Sequence, residues 1–166
     1  MTEEIEKFLG IGEYHVTVRP TRVRTILGSC ISVTMHHPAT GYGAICHASL
    51  PATPAGHGVD YRYTDQVIRA MAGWFTKHGI SRDELVVKLF GGGEMYGRSR
   101  EREGVFTVGR RNIIAARKAL REEGLSLAAS DLGGDHGRSL TFHTATGRVW
   151  VRKTPRRAQT RPDPRA

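Results

Sequence analysis

Long apolar runs are missing from this chain of 166 residues. None approaches the roughly 20 residues that a membrane-spanning helix needs, which argues against membrane insertion. Cysteine is scarce, with only Cys30 and Cys46. Two thiols make no disulfide framework, and they lack the paired spacing of a structural zinc site. Aromatic residues make up just 7%, and no recognition-helix pattern or strand-borne stacking aromatics stand out, so a specific nucleic-acid partner is not expected. Acids are also in the minority, 16 against 25 lysines and arginines, for a net charge of +9.

What is present describes a folded protein. Hydrophobic residues at 39% and charged residues at 25% exclude disordered, collagen-like and coiled-coil classes. A chain of this size fits one domain and buries roughly 70% of its unfolded surface, enough for a core without disulfides or metals. The positive charge is unevenly spread. Residues 152–166 carry six basic side chains against the single acid Asp163, a net of +5, which leaves +4 on the rest. The reading is therefore a domain over residues 1–153 and a basic Pro/Arg-rich tail over 154–166 that is not expected to fold. The acidic start, Met1 to Glu6, has no apolar stretch behind it, so no secretion signal is expected. Together with free thiols this points to the cytoplasm.

Hydrophobic period divides the chain into elements. Alternation predicts strands over 14–19, 23–27, 31–35 and 42–48, punctuated by Gly28-Ser29, His37-Pro38 and Thr40-Gly41. Tyr63, Val67, Ala70, Met71, Trp74 and Phe75 fall on one helical stripe closed by Gly79. A strand over 85–90 runs into Gly91-Gly92-Gly93. A second helix over 109–123 would turn Ile113, Ala116, Arg117 and Leu120 inward, and strands over 125–129, 139–144 and 148–152 complete the set. Strands come in runs broken by two helices, which favours α+β, with packed mixed or antiparallel sheets flanked by two main helices.

The chemistry concentrates at Leu27-Gly28-Ser29-Cys30 and at Ile45-Cys46-His47. A tight Gly-Ser turn ahead of a cysteine exposes both the thiol and neighbouring backbone N–H groups. If the strands starting near Ile31 and Tyr42 pair as a hairpin, Cys30 and His47 come across from each other. A thiol beside an imidazole is the minimum for cysteine nucleophilic catalysis. A buried inert thiol beside an unrelated core histidine stays open as the plain alternative, and a metal set of Cys30, Cys46 and His47 is the weakest reading. The triple glycine lacks the lysine and Ser/Thr of a phosphate loop, so a turn or close backbone approach explains it better. The Asp131–Arg138 loop either lines a site or holds its arginine in an ion pair. His36-His37 beside Pro38 reads as a solvated turn.

These residues resemble the CheD family of chemoreceptor glutamine deamidases. The resemblance runs in order through Gly10-Ile11-Gly12-Glu13-Tyr14, Leu27-Gly28-Ser29-Cys30, His47 with Leu50-Pro51, and Arg62-Tyr63-Thr64-Asp65. It continues through Lys88-Leu89-Phe90-Gly91-Gly92, Gly109-Arg110-Arg111-Asn112, Asp131 to Arg138, and Gly147 to Lys153. Two positions depart from the pattern: Glu94 stands where asparagine is usual, and Cys46 where a polar residue is common. The resemblance implies a fold related to toxin deamidases and no cofactor. It implies that a Cys–His pair, Cys30 and His47, assisted by Thr25, hydrolyses receptor glutamines to glutamate through a thioester. The oxyanion would be held by backbone N–H groups of Ser29 and Cys30, and glutamyl methyl esters could react in the same way. It implies as partners methyl-accepting chemotaxis receptors and a CheC-type phosphatase. A non-catalytic chemotaxis adaptor that binds both is the alternative.

Overall fold

The structure, a computed structural model, describes residues 3–95 and 106–155. Nine strands and two helices are arranged in three layers among these residues. β1 (Ile5–Phe8), β3 (Thr21–Leu27), β8 (Gly137–His143) and β9 (Val149–Thr154) form one sheet in the order β1-β3-β8-β9. β2 (Tyr14–Thr17), β4 (Ile31–His37), β5 (Tyr42–Cys46), β6 (Val86–Gly91) and β7 (Leu127–Leu132) form the other, in the order β2-β5-β4-β6-β7. β1 runs parallel to β3 and β7 parallel to β6, and the remaining pairs are antiparallel. Both sheets are thus mixed, and the α+β expectation holds.

Helices α1 (Thr64–Lys77) and α2 (Val108–Glu122) cover one face of the five-stranded sheet. There Ile31, Val33, Met35, Val87 and Leu89 pack against Val67, Met71, Phe75, Ala116 and Leu120. The other face packs on the four-stranded sheet through two smaller clusters, Leu9-Val23-Ile45-Phe142 and Leu27-Phe90-Leu140. A strand lying between two apolar layers has no solvent side, and every residue of β4 is buried.

That burial corrects two expectations. His36 and His37 do not sit in a solvated turn; both are 6% exposed in β4. His36 Nδ1 pairs with the Thr144 carbonyl at 2.8 Å and His37 Nδ1 with Thr40 Oγ1 at 2.7 Å. The stripe of α2 is also rotated. Its buried residues are Gly109, Asn112, Ala115, Ala116, Ala119 and Leu120, while Arg117 is exposed. The inward asparagine broke the apolar pattern that sequence reading relies on. In addition, Phe8 in β1 and Trp150 in β9 are exposed on the four-stranded sheet, so two strand-borne aromatics do face solvent.

β9 continues to Thr154, two residues beyond its expected end. Of the tail expected over 154–166, residues 156–166 lie outside the described residues. No helix among the described residues is long and apolar enough to cross a membrane.

Candidate active site

Cys30 sits immediately before β4 and His47 immediately after β5. The two strands pair antiparallel with Thr34 opposite Ile45 and Met35 opposite Ala44, and an isolated bridge joins Ile31 to Ala48 in the same register. Carried through, this register places Ser32 opposite His47 and Ser49 opposite Cys30. Cys30 and His47 are therefore not directly across from each other. They share one face of the ladder as diagonal neighbours, a relation that spans about 7–8 Å between Cα atoms. That face looks into the layer between the sheets, where half-buried Cys30 packs on the Leu27-Phe90-Leu140 cluster.

Alternation of side chains along β3 brings in the third residue. Thr21, Val23, Thr25 and Leu27 point inward, whereas Arg24 and Ile26 point out. Thr25 is fully buried, with Oγ1 2.7 Å from His47 Nδ1 and 2.8 Å from the Leu9 carbonyl oxygen. A hydroxyl has one proton and the Leu9 carbonyl can only accept. All three groups are satisfied when Thr25 donates to Leu9 and His47 Nδ1–H donates to Thr25. This chain fixes the tautomer and leaves His47 Nε2 as the bare nitrogen. It is buried and has no hydrogen-bond partner among the described residues.

The Gly10–Tyr14 segment holds the same histidine by its backbone. His47 N–H donates to the Glu13 carbonyl at 3.0 Å, and its own carbonyl accepts from Gly12 N–H at 2.8 Å. Gly12 has φ +78°, a conformation that L side chains rarely adopt.

Around Cys30, three successive carbonyls are occupied. Gly28 O accepts from Gly93 N–H and Cys30 O from Gly92 N–H, both at 2.9 Å. Ser29 O accepts from Asn112 Nδ2 at 3.0 Å, and the same amide nitrogen reaches Ser49 O at 3.2 Å. The triple glycine is thus a close backbone approach. A Cβ on Gly91 would collide with the Cys30 carbonyl, and one on Gly92 with Ile113. Because C=O and N–H point oppositely across a trans peptide, the N–H groups of Ser29 and Cys30 face away from these donors. Ser29 N–H has no backbone acceptor among the described residues, and the Cys30 N–H turns toward its own sulfur.

Burial sets the protonation states. It pushes the Cys30 thiol above its usual 9.0, with its own backbone N–H pulling the other way. It pushes His47 below 6.5, against smaller opposing effects of the Leu9 carbonyl and the Glu13 charge. Both shifts disfavour a resting thiolate–imidazolium pair, so the neutral pair prevails at neutral pH.

Cys46 lies on the opposite face of β5, with the helix-side core. It is fully buried, its sulfur accepts from Val33 N–H at 3.3 Å, and burial pushes its thiol up to about 12. It points away from Cys30 and His47, so the three do not assemble as a ligand set. Arg138 answers the ion-pair alternative for its loop: it is 1% exposed and donates to Asp131 Oδ1 at 3.0 Å and to the Gly133 carbonyl at 2.9 Å. Asn112 is the residue that sequence reading quoted without giving it a role. Its three-residue spacing from Gly109 puts both on one helix face, and that was the available signal.

Similarity to known proteins assigns the chain to a family. Residues 50–153 match the family model described as CheD chemotactic sensory transduction, a segment that begins after Cys30 and His47. Curated relatives extend the similarity. A protein of Geobacter sulfurreducens named probable chemoreceptor glutamine deamidase CheD 2 is 45% identical over 149 residues, 90% of each chain. One of Nitratidesulfovibrio vulgaris, named probable chemoreceptor glutamine deamidase CheD, is 42% identical over 87% of this chain and 75% of its own. One of Pseudomonas syringae pv. syringae, with the same name, is 39% identical over 92% and 87%. Among solved structures, the hypothetical protein YfiH of Bacillus licheniformis matches with a TM-score of 0.51 at 13% identity, over 73% of this chain and 51% of that one. That likeness concerns the fold alone. The chain belongs to the CheD family.

Proposed function

We propose that this protein hydrolyses the side-chain amide of glutamines in chemotaxis receptors, with Cys30 as nucleophile and His47 as general base. The observation that carries the reading is the Thr25–His47 hydrogen bond, which leaves the buried, unpartnered Nε2 on the ladder face that Cys30 shares. The names of the curated relatives supply the substrate class. Sulfur and imidazole are both neutral at rest, so proton transfer accompanies attack. Cys30 Sγ bonds to the amide carbon as Nε2 takes the thiol proton. The backbone N–H groups of Ser29 and Cys30 would bind the oxyanion, at about 3–4 kcal/mol per donor. His47 returns the proton to the departing nitrogen, ammonia leaves, and a thioester remains. Water, deprotonated by His47, then gives glutamate and free Cys30. A glutamyl methyl ester could follow the same path with methanol as leaving group.

The reading places the protein in the cytoplasm with the receptors' helical bundles, and a CheC-type phosphatase is the further partner that the family resemblance adds. Incubation with a chemoreceptor cytoplasmic fragment, followed by peptide mass spectrometry, is expected to show a mass gain of about 1 Da at specific glutamines. Cys30→Ala should abolish it. Conversion that persists in Cys30→Ala removes Cys30 from the mechanism, and binding without any conversion by the wild type favours the adaptor alternative.

A further inference from the structure

We propose that Asn112 is a positioning residue for the oxyanion site, acting by holding the Ser29 carbonyl so that the Cys30 N–H faces the reacting carbonyl; the proposal rests on the deamidase reading. Asn112 is fully buried on α2, and its hydrogen bonds go to the Ser29 and Ser49 carbonyls and not to the Cys30 sulfur or the His47 ring. Its Nδ2 spends one proton on Ser29 O and the other on Ser49 O, which settles the orientation of the amide. Ser29 O belongs to the same peptide as the Cys30 N–H. Planarity makes the direction of one fix the direction of the other. Ser49 lies opposite Cys30 in the ladder and two residues beyond His47, so one amide ties the nucleophile turn to the histidine strand.

The packing around Asn112 lets it serve in this way. Gly109, one turn earlier, lies so close to the glycine loop that a Cβ there would stand 2.6 Å from the Gly92 and Gly93 carbonyl oxygens. This close approach brings the start of α2 within one side-chain length of Ser29. Asn112 Oδ1 is buried without a partner among the described residues. A group that served stability alone would be expected to satisfy its acceptor.

The experiment compares wild type with Asn112→Ala and Asn112→Asp, the second matched in size in case alanine does not fold. Three quantities are measured: kcat and KM for glutamine conversion in a chemoreceptor cytoplasmic fragment, the pH profile of Cys30 alkylation by iodoacetamide, and the melting temperature. Alkylation needs the thiolate but no oxyanion donor. We expect kcat to fall by about 10²-fold with KM within about threefold, while the alkylation rate and its pH midpoint stay near wild type. Folded variants with unchanged kcat overturn the proposal. So does alkylation that falls in proportion to turnover, because that marks general damage to the thiol–imidazole face. A wild type that is alkylated yet never converts glutamine overturns the deamidase reading instead, a separate result.

Discussion

Thr25 carries a single proton, and the proposed chemistry depends on where that proton goes. Donation to Leu9 O makes Oγ1 an acceptor for His47 Nδ1–H, which holds the imidazole in the tautomer with Nε2 bare. Thr25→Val keeps the shape and removes this relay. Glutamine conversion should then fall by about 10- to 100-fold, with thermal stability lower by about 1–3 kcal/mol because Leu9 O and His47 Nδ1 lose their partner. The same residues set a pH dependence. Only neutral His47 accepts the thiol proton, and burial holds its pKa below 6.5. The acid limb of kcat/KM is therefore expected to have its midpoint below pH 6.5, which a rate profile from pH 4.5 to 8 measures. A midpoint above 6.5 would contradict the neutral pair.

At the scale of elements, the packing of α2 on the glycine loop can be compared with a glycine that packs on nothing. Gly109→Ala forces a methyl against two carbonyl oxygens and should cost about 1–3 kcal/mol in denaturant titration, with lower turnover. Gly73 lies in α1, and nothing lies within 4 Å of the Cβ it lacks. Gly73→Ala should instead stabilise by about 0.5–1 kcal/mol, because glycine is a poor helix former. The sequence disclosed most of these elements because half-buried strands alternate, as β3 does with its pattern of inward threonine, valine and leucine. It did not disclose β1, whose four residues are all exposed and which is held by its parallel pairing to β3 and by the Glu6–Arg22 ion pair. Nor did it disclose the inward face of α2, where Asn112 replaces an apolar residue. The candidate site was legible in residue types, Gly-Ser-Cys and a downstream histidine. The diagonal offset of Cys30 and His47 depends on ladder register, which spacing alone does not determine.

For the molecule as a whole, three histidines, His15, His36 and His47, have pKa values lowered mainly by burial. In the unfolded chain they titrate near 6.5, so below that pH the unfolded state binds protons that the folded state does not. Protons then favour unfolding. The melting temperature should hold steady between pH 7 and 8 and decline as pH falls below 6.5; a flat profile down to pH 5 would contradict these shifts.

Cys46 has a consequence for anyone who handles the protein. One of the two thiols is half-buried at the surface of the site, and the other is sealed behind the helices. A colorimetric thiol reagent in native buffer should titrate one equivalent, and two after denaturation. The slow second equivalent becomes a clock for opening of the whole molecule. Its labelling rate against denaturant concentration gives a free energy of opening, which for a domain of this kind lies at about 5–15 kcal/mol. No tag or engineered cysteine is needed.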